Sequence, residues 1–125
     1  MKQQAARLHT GELETAVMNA LWDLGGWRTP REVQAALSVR RPLAYTTIAT
    51  ILVRLWRKGR LDRQPDGRGF LYRPLRTRVE QAASCMEEAL VGVPDRSAAF
   101  ACFVRNLDRA DRAKLRRALQ RVVDT

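Results

Sequence analysis

Residues 44–74 read AYTTIATILVRLWRKG (44–59) and then RLDRQPDGRGFLYRP (60–74). In the first half Ile48, Ile51, Leu52 and Leu55 recur at i, i+3, i+4 and i+7, the spacing of one face of an α-helix. The other face carries Thr46, Thr47, Thr50, Arg54 and Arg57. This spacing predicts a helix from about Ala44 to Lys58, stopped by Gly59. Threonine and β-branched residues make it an intrinsically mediocre helix. Packing must hold it, and the threonines serve something besides propensity. In the second half, Pro65-Asp66-Gly67-Arg68 is a turn signal between two short runs. Leu61, Phe70 and Tyr72 supply the apolar side of a two-stranded hairpin, which Pro74 ends.

Upstream, Leu13, Val17, Leu21 and Leu24, with Met18, predict a helix over Gly11–Leu24, with Thr10 as N-cap and Gly25-Gly26 as the stop. Trp27–Thr29 is a short extended segment. Thr29-Pro30 opens a second helix, and Glu32 completes a capping box with Thr29. Val33, Ala36 and Leu37 form its inner face, and Arg40-Arg41-Pro42 breaks it. Downstream, two or three further helices are expected. The first covers Arg78–Val91, the second Arg96–Asn106 behind the cap Asp95, and the last starts at Asp108. The fold class is therefore mainly α with a small β-hairpin wing, a winged helix-turn-helix followed by a helical region. The expected division is a winged-helix domain over 1–75 and a helical dimerisation region over 76–125.

The chain has 125 residues, with 23 Lys+Arg against 13 Asp+Glu and a formal net charge of +10. Such an excess attracts polyanions, of which nucleic acid is the commonest. Up to Leu75 there are 13 basic and 6 acidic residues, net +7, and beyond it 10 and 7, net +3. Between Arg40 and Arg68 eight basic residues stand against Asp62 and Asp66. No apolar run reaches membrane-span length, and Met1–Arg7 lacks an apolar signal core, so a cytoplasmic location with no membrane partner is expected. Cys85 and Cys102 are then reduced and read as buried thiols in helices. With His9 as the sole histidine, no metal-ligand set can be assembled, and no cofactor is expected. No nucleophile–base pair or phosphate-cradling glycine loop supports an enzyme.

Three helices and a hairpin in this order form the winged helix-turn-helix arrangement. Its third helix has the size to enter a major groove, and the hairpin can reach the adjacent backbone. Threonine hydroxyls bond phosphates or base edges, and their methyls pack on thymine. Arg54 and Arg57 can bond phosphate or guanine, and Arg68 stands at the wing tip. Tyr45 and Arg41, at the start of this helix, complete the candidate DNA contacts. Taken singly, each basic cluster also fits an ordinary solvated surface. Their order within the basic half favours DNA.

The same residues resemble the penicillinase-repressor (BlaI/MecI) family. Residues 13–22, LETAVMNALW, are similar to its opening pattern LE-x-x-VM-x-x-LW, and Arg31-Glu32-Val33 to its second-helix signature. Residues 44–55 are similar to its recognition-helix pattern AYTT-x-x-T-x-L-x-RL. Lys58-Gly59, Gly67-Arg68 and Tyr72-Arg73-Pro74 follow in the expected places. The resemblance covers nearly the whole chain. It implies a bacterial repressor that binds a palindromic double-stranded operator as a homodimer, with β-lactamase or related stress-response genes as targets.

The resemblance places the dimer surface in the C-terminal region. Val79, Met86, Leu90, Phe100, Phe103, Val104, Leu107, Leu115, Leu119 and Val122 exceed what three short helices can bury alone. Some family members are inactivated when a sensor-linked protease cuts this region, often at an Asn-Phe bond. Here the corresponding residues are Cys102 and Phe103, so Cys replaces Asn in the candidate cleavage region. The chain ends Arg121-Val122-Val123-Asp124-Thr125 without the cysteine-rich motif of copper-responsive relatives, so copper sensing is not expected. Two other functions compete: a nucleic-acid module without operator specificity, and a protein-interaction winged helix. Stacking recognition would need exposed aromatics, whereas Trp22, Trp56 and Tyr72 fit core or wing packing.

Overall fold

The apolar periodicities are realised as helices α1 (Thr10–Leu24), α2 (Pro30–Ser38) and α3 (Tyr45–Arg57), strands β1 (Leu61–Asp66) and β2 (Gly69–Pro74), and helices α4 (Arg78–Leu90), α5 (Arg96–Arg105) and α6 (Arg109–Val123). The computed structural model describes residues 10–38 and 42–123. It is mainly helical, with one two-stranded antiparallel hairpin. The chain divides into two compact units, Met1–Ala82 and Ala83–Thr125.

The core of the first unit is built from the residues whose spacing marked them. Val17, Met18 and Leu21 of α1, Val33 of α2, and Ile48, Ile51, Leu52 and Leu55 of α3 close over Leu61 and Tyr72 of the hairpin. Fully burying each large aliphatic side chain contributes about 1.5–3 kcal/mol. Ala36, expected on the inner face of α2, is instead exposed at the edge of a groove between α1 and α2.

Local hydrogen bonds set the helix ends. Thr29 and Glu32 form the capping box, with the Thr29 amide donating to Glu32 Oε1 at 2.9 Å and the Glu32 amide to Thr29 Oγ1 at 3.1 Å. The Thr29 amide and then the Arg28 guanidinium hold the Glu32 carboxyl below its ordinary pKa. The stability this ionised cap contributes is therefore fully present above the ordinary carboxylate range and is lost as pH falls from there through the lowered value. A second capping box, Thr77 with Glu80, starts α4. The Asp95 carboxylate accepts from the Ala98 amide at 2.9 Å, and that of Asp108 from the Asp111 amide at 2.8 Å. Gly25 and Gly26 end α1 with φ of 71° and 65°, a region open to glycine but costly for other residues. Arg28 finishes that end. Its Nε donates to the Gly25 carbonyl at 2.7 Å and its Nη2 to the Leu24 carbonyl at 3.0 Å, while Nη1 reaches Glu32 at 3.1 Å.

The hairpin turns more tightly than its composition suggests. Asp66 pairs with Gly69, so the loop is Gly67-Arg68 alone, and Pro65 lies inside β1 opposite Phe70. Gly67 has φ 61°, and glycine at the first position of a two-residue loop suits the twist of the strands. Pro65 is tolerated because β1 is an edge strand. The other side of β2 is taken by Arg28, whose amide and carbonyl exchange hydrogen bonds with Tyr72 at 2.9 and 2.8 Å. The extended segment at Trp27–Thr29 thus anchors the wing to the helices.

One ion pair beneath α3 was not legible in the sequence. Lys58 Nζ lies 2.9 and 3.0 Å from the two carboxylate oxygens of Glu14, whose side chain is only 7% exposed. Lys58→Met leaves that carboxylate buried and unpartnered, and unfolding in urea should show a loss of about 1–3 kcal/mol. An unchanged urea midpoint would mean that the pair is energetically silent.

In the second unit, Arg112 of α6 donates to the carbonyls of Val104 and Arg105 at the end of α5, at 3.2 and 3.0 Å. No described residue of α5 or α6 is buried within the chain. The expectation of buried thiols is corrected here: Cys85 and Cys102 are both exposed. The reason is the same for both. These helices are too few to enclose every face, so even positions with apolar neighbours remain at the surface.

Candidate nucleic-acid interface

Burial of Ile48, Ile51, Leu52 and Leu55 turns the opposite face of α3 to solvent. Thr46, Thr50 and Arg57 are exposed, while Thr47 and Arg54 are half-buried. Thr50, Arg54 and Arg57 share one shallow depression with Ala49, Val53 and Lys58. The small side chains of Ala49 and Thr50 leave room for a close approach along the middle of the helix. At its start, Ala44 gives no side-chain cap, so the amides of the first turn remain available to an acceptor. Tyr45 is 40% exposed, and the Arg31 guanidinium lies 5.0 Å from its ring centroid. Arg68 is exposed at the wing tip. Arg41 lies outside the described residues.

The structure sorts the basic residues that composition could only count. Arg54, Arg57 and Arg68 have no ion pair or ring contact among the described residues. Lys58 is held by Glu14. Arg73 lies 3.6 Å from Asp62 and its guanidinium 4.3 Å from the Trp27 ring centroid. Arg63 is enclosed between the rings of Trp56 and Phe70. Trp56 is 36% exposed, and the Arg63 guanidinium from the wing lies 3.5 Å from its ring centroid. Trp22 packs at the core margin and donates its indole N–H to the Arg76 carbonyl at 3.0 Å.

Two positioning contacts escaped the sequence reading. Gln34 of α2 donates to the Leu43 carbonyl at 3.0 Å, which ties α2 to the approach into α3. Arg63 is the other. Strand alternation with Leu61 could have revealed its inward direction, but its charge pointed to solvent.

The residues expected at a dimer surface fall into two groups. Val79, Met86, Phe100, Phe103, Val104, Leu119 and Val122 are exposed within the single chain, by 38–79%. Leu90, Leu107 and Leu115 are half-buried. Cys102 and Phe103, the candidate cleavage region, lie exposed in α5.

A core-supported third helix with a polar, cationic outer face, followed by a hairpin tipped with arginine, defines a winged-helix transcriptional regulator of the DNA-binding class. The family model described as penicillinase repressor matches residues 10–121, and the chain belongs to that family. It is 42% identical over 112 residues to the transcriptional regulator BlaI of Mycobacterium tuberculosis strain CDC 1551 / Oshkosh, a match covering 87% of this chain and 81% of that protein. The same values hold for BlaI of strain ATCC 25618 / H37Rv. Among solved structures, the oxidized form of MarR from E. coli is similar at a TM-score of 0.34 and 22% identity, over 91% of this chain and 88% of that one. The family is one of regulators without catalytic activity, so the chain is a transcriptional repressor and not an enzyme. No helix among the described residues is long and apolar enough to cross a membrane.

Proposed function

We propose that this repressor binds a palindromic operator as a homodimer in the cytoplasm, with its DNA-reading surface in the first 75 residues or so and its dimer surface in the rest. One observation carries the reading: among the described residues Arg54, Arg57 and Arg68, on the two elements that meet DNA in a winged helix, have no ion pair or ring contact, while Lys58, Arg63 and Arg73 are engaged within the fold. Thr46, Thr47, Thr50 and Arg54 read base edges, Tyr45 and Arg57 flank them, Arg68 lies over the backbone, and Arg41 is a further candidate contact outside the described residues. A winged domain reads few base pairs, so specificity needs two half-sites related by two-fold symmetry. The family's description as penicillinase repressor supports β-lactamase or related stress-response genes as targets. A salt-dependent gel shift with the operator and none with a scrambled duplex is expected. Equal binding to both would favour a general nucleic-acid module, and binding to neither a protein-interaction module.

The wing has its own signature. Arg68→Ala should weaken binding to every sequence and lower the salt slope by about one per protomer. A changed sequence preference at an unchanged slope would remove Arg68 from the backbone.

Relief is assigned to the C-terminal region. A cut at Cys102–Phe103 would separate α6 from the rest, and a sensor-linked protease would have to open α5 first. There the Cys102 carbonyl is held by Asn106 Nδ2 at 3.1 Å as well as lying within helix. Under β-lactam challenge, a shortened fragment should accompany induction in the source cells. Intact, operator-free protein at full induction would exclude cleavage.

A further inference from the structure

The register of the hairpin places Arg63 on its inner face. Leu61, Arg63 and Pro65 of β1 stand opposite Pro74, Tyr72 and Phe70 of β2, and opposed residues share a face. On that face Leu61 and Tyr72 are buried and Phe70 packs against the core. Arg63 occupies the position where alternation calls for an apolar residue. Its guanidinium carbon lies 3.5 Å from the Trp56 ring centroid and 3.8 Å from that of Phe70. One ring belongs to the last turn of α3 and the other to β2, so a single side chain from β1 joins all three elements.

We infer that Arg63 is a positioning residue for DNA binding: it clamps the wing to the end of α3 and so fixes where Arg68 stands relative to Arg54 and Arg57. This rests on the DNA-binding function proposed above. The chemistry suits the place. The slot is open at the Trp56 side, where that ring is 36% exposed. A guanidinium stacks flat between two rings while its edge stays hydrated, which neither a leucine nor an ammonium group does as well. The base of the wing is held independently, by the Arg28–Tyr72 hydrogen bonds and by buried Leu61. Losing the clamp therefore frees the outer wing without unfolding the first unit. Arg63 belongs to the basic stretch by sequence but does not spend its charge on phosphate.

The test uses the full chain and a duplex selected by the wild-type protein from a random pool of double-stranded DNA. Arg63→Ala should weaken binding about tenfold, with the thermal midpoint little changed and the Trp56 indole resonance shifted. Arg63→Met, which fills the slot without charge, should retain most of the affinity. Arg63→Lys, which keeps the charge without the plane, should lose more than Met does. In the Arg63→Ala background, Arg68→Ala should add little further loss, because the wing is already unplaced. The opposite ranking, Lys near wild type and Met poor, with additive losses for Arg63→Ala and Arg68→Ala, would make Arg63 a direct phosphate contact and overturn the clamp. Wild-type affinity in Arg63→Ala would overturn it too. If the wild-type protein selects no duplex, the DNA-binding reading falls together with the clamp, an outcome distinct from the other two.

Discussion

Phe103→Asp in the full-length chain should sediment as a monomer and bind the operator roughly 10²–10⁴-fold more weakly than wild type. The side chain is 50% exposed within its own chain, so replacing it removes little internal packing. In a dimer that places Phe103 against the partner, an aspartate would be buried without a counter-ion, which is far costlier than a lost apolar contact. Two linked half-sites bind with an effective concentration that a monomer lacks, so operator affinity falls although no base contact has changed. Near-wild-type far-UV circular dichroism and thermal midpoint would accompany the loss. A variant that stays dimeric, or a monomer that binds as tightly as wild type, would remove this face from the dimer or the dimer from recognition.

Leu52→Ala should lower stability by about 2–5 kcal/mol. Leu52 is 0% exposed at the centre of the first unit, among Val17, Leu21, Val33, Ile48 and Leu55. Its truncation removes buried methyl groups and leaves a cavity that three packed helices cannot close. Domains of this size are stable by only about 5–15 kcal/mol, so the loss is a large share of the total. Thr50→Ala, two residues away on the exposed face, should change stability by less than about 0.5 kcal/mol while costing about 1–3 kcal/mol of operator affinity. Urea unfolding and duplex titration of both variants test the division of α3 into a packing face and a reading face. A strongly destabilised Thr50→Ala or a silent Leu52→Ala would contradict it.

Much of this was legible in residue order. Periodicity named α1, α2 and α3 and most of their buried positions, because one face of a helix must be apolar when it packs; Ala36, named with them, is exposed. Thr29 with Glu32 and Asp95 announced helix starts, because these side chains satisfy amides within three residues of themselves. Pro65-Asp66-Gly67-Arg68 announced the hairpin but not its tightness, since composition marks a turn without fixing the register of the strands beside it. The C-terminal cysteines were misjudged for a related reason: burial depends on how many elements surround a helix, which its own sequence does not state.

The sequence by itself determined the element order, most core residues of the first unit, the basic character of the stretch from Arg40 to Arg68 and the family. These depend on local periodicity, local capping and total charge, which survive without knowledge of distant neighbours. Only the tertiary structure decided which cations remain open to a partner. Glu14 meets Lys58 across 44 residues of chain, and Arg63 enters the slot between Trp56 and Phe70 only once the wing folds back on α3. A charged side chain carries the same charge wherever it stands, and what it does with it is settled by the groups the fold brings within a few ångströms.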